Sequence, residues 1–287
     1  MTVFDKRLTP ARPDLAAAHL EGQVEAARFV KAREMRVIAD FAPLRRAPGN
    51  DAALDTQALH GEIVDVYETA GGFAWGQLRV DGYVGYLPTA ALGPVAGQAT
   101  HRVSALRTYA FPGASIKLSP RHLLSMGSLI EARAKEDRFL VTLQGLHIPA
   151  RHLTPVDEFA SDYVAVAERF LGTPYLWGGR TSLGLDCSAL AQLAMMAAGL
   201  PCPRDSDMQA RTGTAVAVRD DLSGLKRGDR VFWKGHIGIM IDAERLLHAN
   251  GFHMQVEIEP LRAARKRILA SGGGPITGIS RLETLGR

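Results

Sequence analysis

Three side chains in this sequence have the type and the setting to break an amide bond: Cys187, His236 and His248. Cys187 follows a glycine-rich loop and opens an apolar run, Ala189 to Ala198, whose pattern predicts a buried helix. At a helix N-terminus the unpaired N–H groups and the macrodipole favour an anion, so the expectation is a thiol whose pKa falls. A thiolate nucleophile needs a base that later protonates the leaving amine, and a further group to orient that base. His236 opens an apolar strand after a glycine turn, in Lys234-Gly235-His236-Ile237-Gly238-Ile239. Twelve residues on, His248 lies near the end of Arg245-Leu246-Leu247-His248-Ala249-Asn250. Antiparallel pairing of these strands across Asp242-Ala243-Glu244 would set the two imidazoles side by side. Cys202, between two prolines, has no such context and is expected to be structural.

One Cys and two His could also hold zinc, but the chain has no C-x-x-C or H-x-x-x-H pair. The glycines at 178 and 179 lack the Gly-Lys-Ser/Thr ending of a phosphate loop. No metal and no cofactor are therefore expected. The net charge of +4 over 287 residues is too small to imply nucleic acid, and the run Arg262, Arg265, Lys266, Arg267 is expected to be a solvated helix face. With 46% hydrophobic and 22% charged residues the composition is globular. The stretch from Ala189 to Leu200 is too short to cross a bilayer, since spanning takes roughly 20 apolar residues. The first residues lack the apolar core of a secretory signal, so a cytoplasmic location with reduced thiols is expected.

The elements that must position these residues differ along the chain. Residues 1–34 have no sustained period and are expected to form a short helix or a strap. From Met35 onward, short strands are predicted at 35–39, 61–67, 74–80 and 83–87, with Asp81-Gly82 as the turn of a hairpin. They predict a small β-barrel over 35–97, and a second β-rich stretch over 98–155 predicts another. After Thr154 the period becomes helical: Phe159, Tyr163, Val166 and Phe170 share one face, with Pro155, Asp157 and Glu158 suited to its first turn. Residues 156–287 then mix helices with strands, an α+β domain that carries the chemistry.

Several ordered motifs add a resemblance. Pro174-Tyr175-Leu176-Trp177-Gly178-Gly179, Asp186-Cys187-Ser188, the strand Gly228 to Trp233, Gly235-His236-Ile237-Gly238-Ile239 and Leu247-His248-Ala249 resemble the NlpC/P60 family of papain-like cysteine peptidases. The stretch Ala74 to Leu87 resembles the end of a bacterial SH3 domain. The resemblance implies a papain-like catalytic domain behind two small SH3-like β-barrels, and is nearest the γ-D-glutamyl-L-diamino acid endopeptidases. It implies that Cys187 attacks the γ-glutamyl carbonyl, that His236 is base and then acid, and that His248 orients it. Tyr175 would join the Cys187 N–H in stabilising the oxyanion, and Asp186 with Ser188 would bind the free α-amine of an N-terminal L-Ala. Trp177 would wall the pocket, Asp205 and Ser206 would contact D-Glu, and Tyr83, with Tyr86 next, would close the amine end. The implied partner is a murein tri- or tetrapeptide, with no nucleic acid and no membrane; the diamino acid and the oligomeric state stay open. Ala189 departs from the family, which has Gly there. An acyltransferase or general amidase on the same scaffold, or a wall-binding protein, would be the alternatives.

Overall fold

The computed structural model describes residues 4–282. The chain divides into two compact units, Met1–Glu158 and Phe159–Arg287.

In the first unit the N-terminal segment is a strap and not an α-helix. Ala16–Ala17 pairs in parallel with Phe29–Val30, a single 3-10 turn covers Ala18–Leu20, and Leu15, Ala16 and Ala17 are fully buried. Seven strands follow in one sheet, in the order Leu54–Leu59, Phe41–Arg45, Val84–Pro88, Phe73–Leu78, Ile63–Ala70, Arg33–Val37, Leu92–Gly93. The Asp81-Gly82 turn joins Phe73–Leu78 to Val84–Pro88 as expected, with Gln77 opposite Val84 and Gly82 at φ +78°. The strands Phe41–Arg45 and Leu54–Leu59 lie outside the predicted set, because Pro43 and the charged Arg45 and Asp55 obscure their alternation.

The sheet's core holds Val37, Ala42, Leu44, Val64, Leu78, Leu87 and Tyr83. Tyr83, expected to close an amine pocket, is only 5% exposed and packs within this core. Its neighbour in the expectation, Tyr86, instead lines a cleft of about 440 Å³ with Trp75, Phe73 and Glu68. The strap's Arg12 fills part of that cleft. Its guanidinium lies 4.4 Å from the Trp75 ring centroid and bonds Glu68 at 2.5 Å and the Tyr86 hydroxyl at 3.0 Å.

Residues 98–155 form three small sheets. The first two strands, His101–Val103 and Arg107–Ala110, are separated at Ser104-Ala105-Leu106. The two β-rich stretches end alike. In each, a strand closing on proline (Val84–Pro88, His147–Pro149) leads into a 3-10 turn (Thr89–Ala91, Ala150–His152) and then a short strand that returns to the stretch's first. Leu92 thus faces Val37, and Leu153 faces Val103.

In the second unit the first helix, α1 (Tyr163–Glu168), is shorter than its periodicity suggests. The Asp162 side chain caps it by accepting the Val164 N–H at 2.8 Å, so the turn at Pro155 to Glu158 lies outside the helix. α2 (Cys187–Ala197) has nine buried residues among its eleven, and is followed by the single-turn α3 (Ser206–Gln209) and, later, α4 (Leu261–Ala270). A six-stranded sheet runs Thr214–Val216, Gly278–Arg281, Arg230–Trp233, His236–Met240, Arg245–Asn250, Gln255–Pro260. α2 packs on the His236 and Arg245 strands and α4 on the Arg245 and Gln255 strands. A core of Val231, Trp233, Met240, Leu246, Leu261, Ala264 and Ile279 ties α4 to the sheet.

Replacing Asp162 by Ala removes the cap of α1 and its ion pair with Arg227, and is expected to cost about 1–2 kcal/mol in chemical denaturation.

Candidate active site

Cys187 is the first residue of α2, and the residue before it holds the helix start in place. Asp186 Oδ1 accepts the Ala189 N–H at 2.8 Å and the Ser188 hydroxyl at 3.0 Å, while Oδ2 accepts the Gly178 N–H at 3.0 Å. The same carboxylate takes a bidentate contact from Arg204, at 2.9 and 2.6 Å, and Arg204 also donates to the Ser188 hydroxyl at 2.8 Å. Arg204 is 1% exposed. Gly178 and Gly179 permit this approach: Gly178 sits at φ +71°, and a Cβ on Gly179 would fall 2.6 Å from the Gly184 carbonyl oxygen. Asp186, expected to bind an ammonium together with Ser188, is thus also the cap of α2 and the partner of Arg204. Five hydrogen bonds reach the carboxylate, and the buried guanidinium neutralises it. Arg204 is the residue that sequence reasoning missed here; a lone Arg between Pro203 and Asp205 carries no local signal.

The thiol also departs from expectation. Cys187 is 8% exposed, and burial, with the Asp186 charge next, pushes its pKa up to about 12 despite help from the Ile237 and Ser188 N–H groups. The helix terminus is worth less here than the loss of water, the rule for a charge moved into a dry site. Ile237 is the next residue after His236, which puts the thiol at the start of the histidine strand.

Strand register explains the histidines. Ile239 pairs with Leu247 and Met240 with Leu246, so His236 and His248 are diagonal neighbours on one sheet face. His236 Nε2 and His248 Nδ1 are 2.9 Å apart, with the rings T-shaped at 5.1 Å. One strand further, His248 pairs with Glu257, which makes Glu259 its diagonal neighbour on that face. His248 Nε2 meets Glu259 Oε1 at 2.8 Å, and the same oxygen accepts from Arg267 of α4. Glu259 and Arg267 were not among the expected site residues. The alternation Gln255-Val256-Glu257-Ile258-Glu259 holds the signal, and extending the histidine register by one strand finds it. Arg267 is thus no solvated charge, and Arg262 and Arg265 donate to the backbone of Asp221 and Asp220. Burial, together with the His248 charge, drives His236 down to about 3, and burial also lowers His248. Burial thus favours the neutral form of thiol and imidazole alike.

The remaining expected residues divide. Tyr175 is half-buried; burial raises its pKa, with neighbouring Cys187 and Asp186 next, which places it beside Cys187. Its N–H donates to the Met254 carbonyl at 2.9 Å. Trp177 is 69% exposed on the glycine loop. Asp205 and Ser206 form the start of α3, which Gln209 ties to α2 by donating to the Ser188 carbonyl at 2.9 Å. Tyr83 belongs to the other unit's core.

Among the described residues, His248, His253 and Glu259 offer ligand atoms within 4.8 Å of one another. Arg267 already neutralises the carboxylate, and the 2.8 Å contact of His248 Nε2 to it requires a proton between them, so the arrangement suits a hydrogen-bonded relay better than a cation.

A Cys at a helix start, beside an antiparallel strand with a paired imidazole, is the arrangement of a papain-like fold. Residues 172–268 match the NlpC/P60 family and residues 44–92 match the bacterial dipeptidyl-peptidase Sh3 domain. The chain carries an NlpC/P60 domain behind a bacterial SH3 domain. It is 31% identical over 152 residues to a γ-D-glutamyl-L-lysine dipeptidyl-peptidase of Bacillus cereus, half of this chain and 42% of that one. Identity to the protein of the same name in Bacillus subtilis is 35% over 107 residues, 34% of this chain and 35% of that one. These matches span less than half of the relatives' length. In three dimensions, the crystal structure of an NlpC/P60 family protein from B. cereus superposes with a TM-score of 0.70 at 21% identity, covering 87% of this chain and 99% of that one, and shares the fold.

Arg204→Ala leaves the Asp186 charge buried without its partner and is expected to destabilise the protein by about 3–5 kcal/mol in chemical denaturation. A second expectation concerns acid. A histidine whose pKa is lower folded than unfolded binds protons more readily in the unfolded state, so stability falls as pH drops through 6.5 toward 3. His236→Asn removes one such group, and the acid limb of its Tm–pH profile should be shallower than wild type.

Proposed function

We propose that this protein is a cysteine endopeptidase that hydrolyses the γ-D-Glu–diamino acid bond of murein peptides. The observation that carries the reading is the hydrogen-bonded pair His236–His248 at the strand start against which Cys187 lies, inside an NlpC/P60 domain. Support comes also from the similarity to the two Bacillus proteins named γ-D-glutamyl-L-lysine dipeptidyl-peptidase.

The chemistry follows from the protonation states. With Nε2 engaged by His248, His236 keeps Nδ1 as its basic nitrogen. As Cys187 Sγ attacks the γ-carbonyl carbon, the thiol proton passes to Nδ1 and the carbonyl oxygen becomes an oxyanion. The Cys187 N–H and the Tyr175 hydroxyl are the proposed donors to it. Collapse breaks the C–N bond, His236 returns its proton to the leaving α-amine of the diamino acid, and water then hydrolyses the thioester through the same base. Trp177, exposed on the loop, and Asp205 and Ser206 at the start of α3 are proposed contacts for the D-Glu unit.

An enzyme that releases a dipeptide must measure two residues from the peptide's N-terminus, so a free N-terminal L-Ala is part of the proposal. The proposed reader of that amine is Asp186 with Ser188, the carboxylate being shared with Arg204. The alike ends of the two β-rich stretches support a second SH3-like module over 98–155. The proposed setting is recycling of released wall peptides in the cytoplasm.

Mass spectrometry of products from L-Ala-γ-D-Glu-meso-diaminopimelate and from its L-Lys counterpart tests this. Wild type should release L-Ala-D-Glu, and Cys187→Ala should lose cleavage by at least about 10⁴-fold. N-acetylation of the L-Ala should abolish the reaction; equal cleavage of acetylated peptide would make the protein a general amidase.

A further inference from the structure

We propose that Glu259 is a positioning residue of the active site, the carboxylate that sets the proton positions of both histidines, with Arg267 holding it in place. This inference deepens the peptidase reading and rests on Cys187 being the nucleophile.

The argument is one of donors and acceptors. A carboxylate can only accept, so the 2.8 Å contact between Glu259 Oε1 and His248 Nε2 requires the proton on Nε2. A neutral His248 then has a bare Nδ1, and the 2.9 Å contact to His236 Nε2 requires the proton to sit on His236. Neutral His236 in turn has its lone pair on Nδ1. Each tautomer dictates the next, and only Glu259 is fixed independently. Without it, His248 could carry its proton on Nδ1, which would force His236 to accept at Nε2 and hold its own proton on Nδ1. A base protonated there cannot take the thiol proton.

Geometry singles out Glu259 over Glu257, which lies directly opposite His248 in register. Glu257 is engaged elsewhere, accepting from Gln255 Nε2 at 2.9 Å and from the Ile258 N–H. Arg267 donates to the same Oε1 that meets His248, and its guanidinium also lies 4.4 Å from the Phe252 ring centroid. The His248 hydrogen bond and that cation outweigh burial and hold the Glu259 carboxyl below its ordinary value. The carboxylate then stabilises the imidazolium formed during attack without taking the proton itself. The charged and titratable groups facing His248 are His236 from the preceding strand, Glu259 from the following one, Arg267 from α4 and His253 from the intervening turn. His253 is turned to Asn250, whose side-chain oxygen meets its Nδ1 at 3.0 Å.

The test reads tautomers and turnover together. Long-range 15N–1H spectra of the labelled protein at neutral pH should show His236 and His248 each protonated at Nε2 alone. In Glu259→Ala the His248 signal should move toward the Nδ1-protonated or exchanging form, and kcat on the muropeptide should fall about 10–100-fold with KM little changed, the usual scale for removing a carboxylate behind a functional histidine. Glu259→Asp, which keeps the charge, should recover part of both. If Glu259→Ala fails to fold, the near-isosteric Glu259→Gln is measured the same way. An Nδ1-protonated His248 in wild type overturns the proposal, as does a variant that changes tautomer without losing kcat, or kcat without changing tautomer. Failure of the wild type to cut the peptide would refute the peptidase reading, while the spectra would still decide the proton positions.

Discussion

The reactive end of this molecule hangs on one buried carboxylate. Asp186 caps α2, gathers the glycine loop through the Gly178 N–H, fixes the Ser188 hydroxyl and neutralises Arg204. Those bonds set where the next residue, Cys187, must stand. A loop of glycines has too much conformational freedom to place a nucleophile unaided. Its freedom is removed by a single acceptor that the loop, the helix and a distant arginine share. Ion pairs so deeply buried contribute little net stability compared with apolar packing, but they define one arrangement sharply, since every alternative strands a charge.

Opposite that end, the sheet aligns the two histidines by register. Three successive strands contribute one polar residue each to the same face, and the spacing of two residues per repeat brings them into a line. Their burial lowers the histidines and raises the thiol, so the resting pair carries no separated charge. In the proposed reaction, a neutral pair asks the protein to stabilise charge only while a substrate occupies the site, when the carbonyl oxygen and the imidazole acquire it together. The carboxylate and guanidinium behind His248 are then already in place, with no reorganisation needed.

Much of this was legible in the residues. The nucleophile helix and both histidine strands show plain periods, and the Asp-Gly hairpin shows its turn chemistry. The relay could be read as far as two strands and stopped there, although Glu259 obeys the same alternation. Arg204 was invisible because its partner lies 18 residues away and meets it only through the tertiary fold. The thiol's proton affinity was misjudged since a helix terminus is visible in a sequence and depth below the surface is not. Tyr83 shows the same gap: alternation places an aromatic on a strand, whereas the neighbouring strands decide that its face is the core. The short α1 has another cause, a capping aspartate that outcompetes an apolar stripe extending four residues further back.

The depth of Cys187 bears on more than catalysis. Oxidation of a cysteine to its sulfenic acid begins from the thiolate, so a thiol held protonated and 8% exposed presents little to peroxide. A thiol kept in that form is the reverse of the exposed, acidic thiol of a redox sensor.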